Sequence, residues 1–347
     1  MQKVALLTGK GMDVRVLTEF LLSKNYHVYI AARRSTNFEF SQFTCHFDHY
    51  LKLYPSSKLS TIYIDLSDGF SIEQGMKTIL VQNQIDEIYH LGAASNVGFS
   101  YDTPLLNINT NGMSAFHFLE SIKTLTPKTK FYFASTTEMY AGNVEDEKYD
   151  EQSKFCPKTA YGISKCLGFY WTQYFRETFG IFALSGILAN HSCQYRHPSF
   201  FIKKITQAAA KIALGQQKSC AIGHLNWARD EMWADHAMEA AYQLLQLNEP
   251  QDMVIGNGNT KWGEEYVQLA FDYFNLKWQD HITFDEKFLR KNEVVKLEVN
   301  PALAIEKIGW KPNRMPFKDH IGLMCEWDKQ VESGQTPIRP DVFKLFP

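Results

Sequence analysis

The stretch VALLTGKGMDVRVL, residues 4–17, passes from a short apolar run through a turn holding two glycines into an apolar spacing of helical period. Val4–Thr8 predicts a strand buried on both faces, Gly9 and Gly11 a tight turn, and the residues beyond them a helix whose first amides face the turn. Free amides at the positive end of a helix suit a pyrophosphate, and strand, glycine turn and helix in this order form the first unit of a doubly wound α/β fold. The place three residues beyond Gly11, where a dinucleotide-binding turn carries a third small residue, holds Val14. From the two glycines alone, a turn without any ligand reads as well.

Working outward, further short runs rich in β-branched or aromatic residues occur at His27–Ala32, Thr61–Ile64, Glu87–Leu91, Lys130–Ser135, Phe182–Ile187 and Met253–Ile255. Between them lie stretches with helical spacing, including Ile108 to Ile122 and Tyr161 to Phe179. Strand and helix in alternation imply a parallel sheet covered on both faces. After Ile187 the rhythm breaks into a polar segment, Asn190 to Pro198, a helix-like Phe200–Leu214, a short strand pair and a helix near Ala234–Leu247. The expected architecture is α/β, a Rossmann-type doubly wound parallel sheet with a smaller mixed C-terminal substrate-binding lobe. The sheet domain is expected over 1–189 with about 232–260, and the lobe over 190–231 and 261–347. Neither an internal repeat nor a Pro/Gly/Ser-rich linker divides the chain.

The 347 residues are 45% apolar and 21% charged, with 36 basic against 38 acidic side chains and a net charge of −2. That balance provides no long-range attraction for nucleic acid or an anionic membrane, so neither is an expected partner, and any bound phosphate must be met by locally gathered bases. No apolar run approaches the roughly 18 residues of a membrane span, and the N-terminus enters a strand at once, so a cytoplasmic location is expected. Six irregularly spaced cysteines without a CxxC pair read as reduced thiols. Cys45, His46 and His49, like His191, Cys193 and His197, lack a second ligand pair at zinc spacing, and no metal is expected. Aromatic residues, 14% of the chain, read as core rather than as a stacking surface for bases.

The second strand ends in Ala32-Arg33-Arg34-Ser35, with no acid to accept from the ribose hydroxyls of NAD. Two guanidinia suit a 2′-phosphate and favour NADP over NAD; a solvated basic strand end is the alternative. Tyr-x-x-x-Lys occurs at Tyr54/Lys58, Tyr161/Lys165 and Tyr273/Lys277. In a helix that offset sets an ammonium beside a phenol on one face, where the cation favours phenolate. Tyr54 precedes a proline in a loop-like stretch, and Tyr273 sits in an amphipathic helix where core packing is the expected role. Tyr161 opens a long helix downstream of a strand that delivers Thr136-Thr137-Glu138.

These residues resemble the extended short-chain dehydrogenase/reductase family and, within it, the nucleotide-sugar 4,6-dehydratases of the GDP-mannose type. The family's Ser/Thr, Tyr and Lys fall on Thr136, Tyr161 and Lys165, and its dehydratase-specific acid on Glu138; Thr137 resembles the small hydroxyl residue of the GDP-mannose branch. Similar segments run through Asp65-Leu66, Leu91-Gly92-Ala93-Ala94-Ser95, Gly186-Ile187-Leu188-Ala189-Asn190-His191, Leu214-Gly215-Gln216, Arg229-Asp230 and Gly309-Trp310-Lys311-Pro312. The resemblance implies an NADP cofactor held by Gly9, Gly11, Met12, Asp13, Arg33, Arg34, Ser35, Asp65, Leu66, Leu91, Ala93, Leu188, His191 and Arg196, with Tyr161 and Lys165. It implies a GDP-sugar, GDP-mannose or a related GDP-hexose or heptose converted to its 4-keto-6-deoxy derivative, at Ser95, Asn190, Lys204, Arg229, Arg290 and Glu293, and a homodimer or homotetramer.

In the implied reaction Tyr161 takes the proton of the sugar's 4-hydroxyl, Thr136 hydrogen-bonds the developing ketone, and Glu138 removes the C5 proton and protonates the departing C6 hydroxyl. The chain departs from the family in several places. The glycine loop is one residue shorter and its last glycine is Val14. Ser192-Cys193-Gln194-Tyr195-Arg196-His197 keeps one arginine of an arginine-bearing turn. Ala94 and Asn96 replace a Gln and a His, and Glu231-Met232-Trp233 replaces Trp-Gly-His. Two other readings stand beside the dehydratase: a 4-dehydrogenase, reductase or epimerase of the same family, and a non-catalytic sensor of the sugar nucleotide or dinucleotide.

Overall fold

The computed structural model describes residues 2–34, 39–143, 148–289, 292–337 and 339. Fourteen strands occur among them: β1 (Val4–Thr8), β2 (His27–Ala32), β3 (Lys58–Tyr63), β4 (Glu87–His90), β5 (Lys130–Thr136), β6 (Lys148–Tyr149), β7 (Ala183–Leu188), β8 (Asn190–Ser192), β9 (Cys220–Ile222), β10 (Ala228–Trp233), β11 (Met253–Ile255), β12 (Thr260–Trp262), β13 (Ile282–Phe284) and β14 (Lys296–Val299). Seven of them form the main sheet in the order β11-β7-β5-β4-β1-β2-β3, every pair parallel.

Parallel neighbours must be joined by crossovers, and crossover helices bury both faces of the sheet. Along β1, Ala5 and Leu7 pack with the helices Met12–Ser23 and Ala234–Leu245 on one side. Val4 and Leu6 turn to the other side, where Gly69–Leu80, Ser114–Leu125 and Phe175 of Ala160–Phe179 pack. That two-sided burial is why β1 and β2 read as nearly unbroken apolar runs and why β4, β5 and β7 are buried along almost their whole length.

From β1 the chain winds outward through β2 to β3, then returns across β1 to β4 and winds the other way. The reversal between β1 and β4 opens a crevice at the carboxyl ends of the strands, the place where open α/β sheets take ligands. Gly9, just past β1, has φ +100°, and a Cβ there would lie 3.1 Å from Gly92 Cα, just past β4. A side chain at this position would strain the backbone and press on the facing loop.

A second sheet runs β12-β10-β14-β6 with β8 alongside β10, and β9 pairs with β13. Because β7 is followed after Ala189 by β8, the first sheet feeds the second at the crevice.

Two expectations need correction. The third strand is Lys58–Tyr63, not Thr61–Ile64: it is the sheet's edge, so its polar residues are tolerated by solvent. The apolar stretch 108–122 is not one α-helix; Ile108–Met113 makes a π turn before the helix Ser114–Leu125.

Candidate active site

Strand β5 ends at Thr136, whose Oγ1 accepts from the Glu138 amide at 3.3 Å and starts the short turn Thr137–Tyr140. This cap turns Glu138 back toward the crevice, and the side chain is buried there. Opposite it, Thr159 caps the long helix by accepting from Gly162 N at 3.0 Å. Gly162 lies so close to the Glu138 carbonyl that a Cβ would stand 2.9 Å from the oxygen. The first turn of the helix is thereby pressed onto the Thr136–Glu138 turn. Tyr161 is buried, hydrogen-bonded to Thr136 and within electrostatic reach of Glu138. Thr136, Glu138 and Tyr161 thus meet from two separated elements.

The four-residue offset raised the expectation that Lys165 would draw the Tyr161 phenol toward ionisation. In the structure the phenol moves the other way. Burial pushes it up, with Glu138 and Asp13 adding to the rise and Thr136 and Arg196 opposing it. Lys165 Nζ lies 5.9 Å from the Tyr161 ring centre and donates to Ala134 O at 2.7 Å. Burial brings the ammonium down to about 7, against the pull of Asp13. Desolvation, an effect of tertiary packing, outweighs the pairwise attraction read from spacing.

At the crevice's other wall, Gly11 caps Met12–Ser23 without a side chain, and the space a Cβ would fill there is open. Asp13 lies in the first turn, where burial would raise its carboxyl, but His191, Arg196 and Lys165 hold it below its ordinary value. His191 Nε2 stands 3.2 Å from Asp13 Oδ1 and its Nδ1 2.9 Å from Ala189 O. Both ring nitrogens face acceptors, so the imidazole is raised although burial alone would lower it. Arg196 stacks its guanidinium over the Phe200 ring at 3.7 Å. Asp13 and His191 thus stand together at the helix's positive end, with Arg196 and Lys165 within electrostatic reach, and the open cradle there fits a dinucleotide pyrophosphate.

Leu66 Cδ1 would lie 2.4 Å from a Cβ on Gly92, so the Asp65-Leu66 and Leu91–Ala93 segments meet beside Gly9. Asp65 accepts from Ser67 N and Oγ, and these bonds with nearby Arg33 keep its carboxyl low. Arg34 lies over the Tyr63 ring at 4.5 Å, at the carboxyl end of β2. Met12 and Leu188 are buried.

Of the expected sugar-nucleotide residues, Arg229 and Glu293 meet as an ion pair at 2.9 Å, and the guanidinium also donates to Ala228 O and Val294 O. Lys204 donates to Ala221 O at 2.5 Å and lies over the Phe288 ring. Asn190 is in β8 and Ser95 is exposed. Ser35 and Arg290 lie outside the described residues. Among the described residues, no group of three His, Cys, Asp or Glu side chains is placed to hold a metal ion.

Sequence reading missed two buried groups here. Glu231, beside Asn190 across β10 and β8, is raised by burial against Ser192, Arg196, His191 and Tyr266. Asn111 joins the crevice loop to the long helix through its carboxamide. Neither carries a periodic signal, and the Arg-Asp before Glu231 was the sole local cue.

A doubly wound sheet with Thr, Tyr and Lys gathered at its carboxyl edge defines the extended short-chain dehydrogenase/reductase class. The family profile described as GDP-mannose 4,6 dehydratase matches residues 6–324. GDP-mannose 4,6 dehydratase 2 of Arabidopsis thaliana is 32% identical over 345 residues, 97% of this chain and 90% of the relative. The Homo sapiens GDP-mannose 4,6 dehydratase is 32% identical, covering 95% and 92%. Among solved structures, dTDP-glucose 4,6-dehydratase from Bacillus anthracis, in complex with NAD, superposes with a TM-score of 0.80 at 16% identity, over 97% of this chain and 100% of that one. This chain belongs to the GDP-mannose 4,6-dehydratase family.

Proposed function

We propose that the protein converts GDP-mannose to GDP-4-keto-6-deoxymannose with release of water, a hydro-lyase reaction run with a tightly held NADP. The observation that carries this reading is the meeting of Glu138 with Thr136 and Tyr161 at the sheet edge. An alcohol dehydrogenase, reductase or epimerase needs the phenol and the hydroxyl but no carboxylate beside them.

When bound, the dinucleotide supplies a hydride acceptor for C4 and returns the same hydride at C6. Tyr161 acts here as phenolate, its own proton given up to solvent, since the positive charge of Lys165 and of the bound cofactor would offset the burial that raises it; its Oη then takes the 4-hydroxyl proton, and Thr136 Oγ1 donates to the oxygen that becomes the ketone. A 4-ketone acidifies C5–H. Glu138 takes that proton and passes it to the C6 hydroxyl, which leaves as water; Tyr161 then returns the 4-hydroxyl proton to C5 as the exocyclic C6 is reduced, which restores the phenolate. Lys165, fixed by Ala134 O, supplies positive charge on the phenol's side of the pocket. Met12, Asp13 and their neighbours present helix amides to the pyrophosphate, and Arg33 and Arg34 stand where a 2′-phosphate would emerge. The reading assigns the sugar nucleotide to Arg229 of β10, with Glu293, and to Lys204 of the helix Phe201–Ala213.

A homodimer suits one surface. Ile163, Tyr170 and Tyr174 form an exposed apolar row along Ala160–Phe179, continued by Leu105, Leu106 and Ile108 on the segment packed against it. Burying such a row against its two-fold copy would remove these exposed apolar side chains from water.

Incubation of the NADP⁺-loaded protein with GDP-mannose is expected to yield a 4-keto sugar nucleotide, read by its absorbance in alkali, without net NADPH. Glu138→Gln should abolish that product. Net accumulation or consumption of NADPH would identify a dehydrogenase or reductase instead. Stabilisation by NADPH or GDP without any turnover would identify a sensor. Cofactor titrations should favour NADP⁺ over NAD⁺, and Arg34→Ala should erase the preference.

A further inference from the structure

Residues 108–113 form a π turn between Pro104–Asn107 and Ser114–Leu125. Such a turn widens the helix by one residue and changes which side chains face inward. Here it leaves Leu105 and Ile108 outside while burying two carboxamides, Asn107 and Asn111, almost completely. A buried carboxamide is costly unless its groups are paired, and those of Asn111 are. Its Oδ1 accepts from Ala94 N at 2.8 Å, and its Nδ2 donates to Ser164 Oγ at 3.0 Å and to Asn107 Oδ1 at 3.2 Å. The Ala94 amide requires an acceptor, so the orientation of the carboxamide is settled.

Each end of this bridge is tied to the site. Ala94 belongs to the segment 91–95, which begins where Gly92 meets Gly9. Ser164 precedes Lys165 in sequence and donates its own hydroxyl to Tyr161 O at 2.7 Å. The π turn also lies directly on the long helix, since a Cβ on Gly112 would come within 2.9 Å of Ser164 O and 2.8 Å of a Leu167 methyl. The covalent path from Ala94 to Tyr161 runs through three α-helices, the π turn, a 3-10 turn and two strands; the bridge through Asn111 spans a single side chain.

We propose that Asn111 is a positioning residue that fixes the cofactor-side loop 91–95 against the helical turn bearing Tyr161 and Lys165. The proposal rests on the dehydratase reading for its kinetic consequence, though not for its structural one. Asn111 touches no reacting atom. It keeps the phenol at a set distance from whatever the loop supports, and a displacement near 1 Å at a reacting centre is worth roughly 100-fold in rate.

Two variants test this. Asn111→Leu preserves size and removes every hydrogen bond of the carboxamide, the longer one from Nδ2 to Ala94 O at 3.4 Å included. It is expected to lower kcat on GDP-mannose about 10- to 100-fold, while KM and NADP⁺ affinity stay within about threefold. Asn111→Asp keeps the acceptor for Ala94 N and should retain most of kcat. Its carboxylate, beside the Tyr161 turn, should move the pH–rate profile to higher pH by making the phenol harder to ionise. Amide hydrogen exchange supplies a readout independent of turnover: Asn111→Leu should speed exchange at 92–96 and in the first turn of Ala160–Phe179, leaving β1 and β2 protected. Unchanged exchange in those segments, or an Asn111→Leu enzyme with wild-type kcat, overturns the proposal. So does a loss of kcat that merely tracks loss of cofactor binding and thermal stability. If the wild-type protein fails to act on GDP-mannose, the dehydratase reading falls, while the exchange result still decides the role of Asn111.

Discussion

The two walls of the crevice are built on different principles. At the end of β5 the working parts are side chains: Thr136, Glu138 and Tyr161 are buried, Tyr161 is within electrostatic reach of Glu138, and Lys165 is bound to Ala134 O. At the end of β1 the working parts are backbone: an uncapped helix N-terminus and Gly9 at φ +100°. A side-chain site demands particular residues at particular places. A backbone cradle demands a conformation and a close approach, and it tolerates whatever side chains leave these intact. The β5 wall should therefore tolerate few replacements, and residues 10–14 many, since beside them Gly9 alone combines a positive φ with a close approach.

The largest effects should therefore come from the β5 wall. Tyr161→Phe removes the proton acceptor without changing the packing of the ring. It should lower kcat by about 10²- to 10⁴-fold, the usual contribution of a general base, with NADP⁺ affinity nearly unchanged in a fluorescence titration. A Tyr161→Phe enzyme within tenfold of wild type would mean that some other group serves C4, and the contrast between the walls would lose its first term.

Smaller, and dependent on pH, is the effect expected from Asp13→Asn at the β1 wall. The carboxyl is held below its ordinary 3.8 and His191 above its ordinary 6.5, each supporting the other. Asp13, with a depressed value, contributes stability above 3.8 that is lost as pH falls through its folded value. His191, with a raised value, contributes stability fully present below 6.5 that is lost as pH rises through its folded value. The pair is fully formed between those limits. The difference in denaturation midpoint between wild type and Asp13→Asn should be largest there and shrink on both sides. A difference that grows toward alkaline pH would show that His191 is not the partner that matters.

What could be read from sequence follows the same division. Strands buried on both faces announce themselves, and β1, β2 and β11 fall where their apolar runs predict. The edge strand β3 has mixed exposure and was legible only in part. The second sheet is assembled from strands of two to six residues drawn from 148 to 299, too short for any period to mark. In the site, the approach of Thr136 and Glu138 to Tyr161 follows from parallel topology, because successive strands deliver their ends to one edge. The charge states do not follow, since they depend on burial. An ammonium four residues from a phenol predicts attraction, whereas the fold spends the ammonium on Ala134 O and buries both groups. Nor does any pattern of apolar residues distinguish the π turn at Ile108–Met113 from α-helix, so the inward placement of Asn111 had no signal in the sequence.

The smallest functional effect is expected where the sequence departs most plainly from a dinucleotide-binding turn. Val14 is 1% exposed, and its Cγ2 lies 3.7 Å from where a Cβ on Gly9 would stand. It fills the space between helix and strand that a glycine would let close, and the turn before it is shortened to match. Val14→Gly restores the small residue but not the loop length, so helix and strand are left with a gap instead of a closer approach. Loss of a buried valine side chain, together with the helix penalty of glycine, should cost about 2–3 kcal/mol of stability, read as a lower denaturation midpoint. NADP⁺ affinity should change by less than about threefold, because the amides that face the pyrophosphate belong to a backbone held at Gly9, not at residue 14. Substantially tighter NADP⁺ binding by Val14→Gly would show that the valine obstructs the cradle, and that the β1 wall depends on side-chain identity as closely as the β5 wall does.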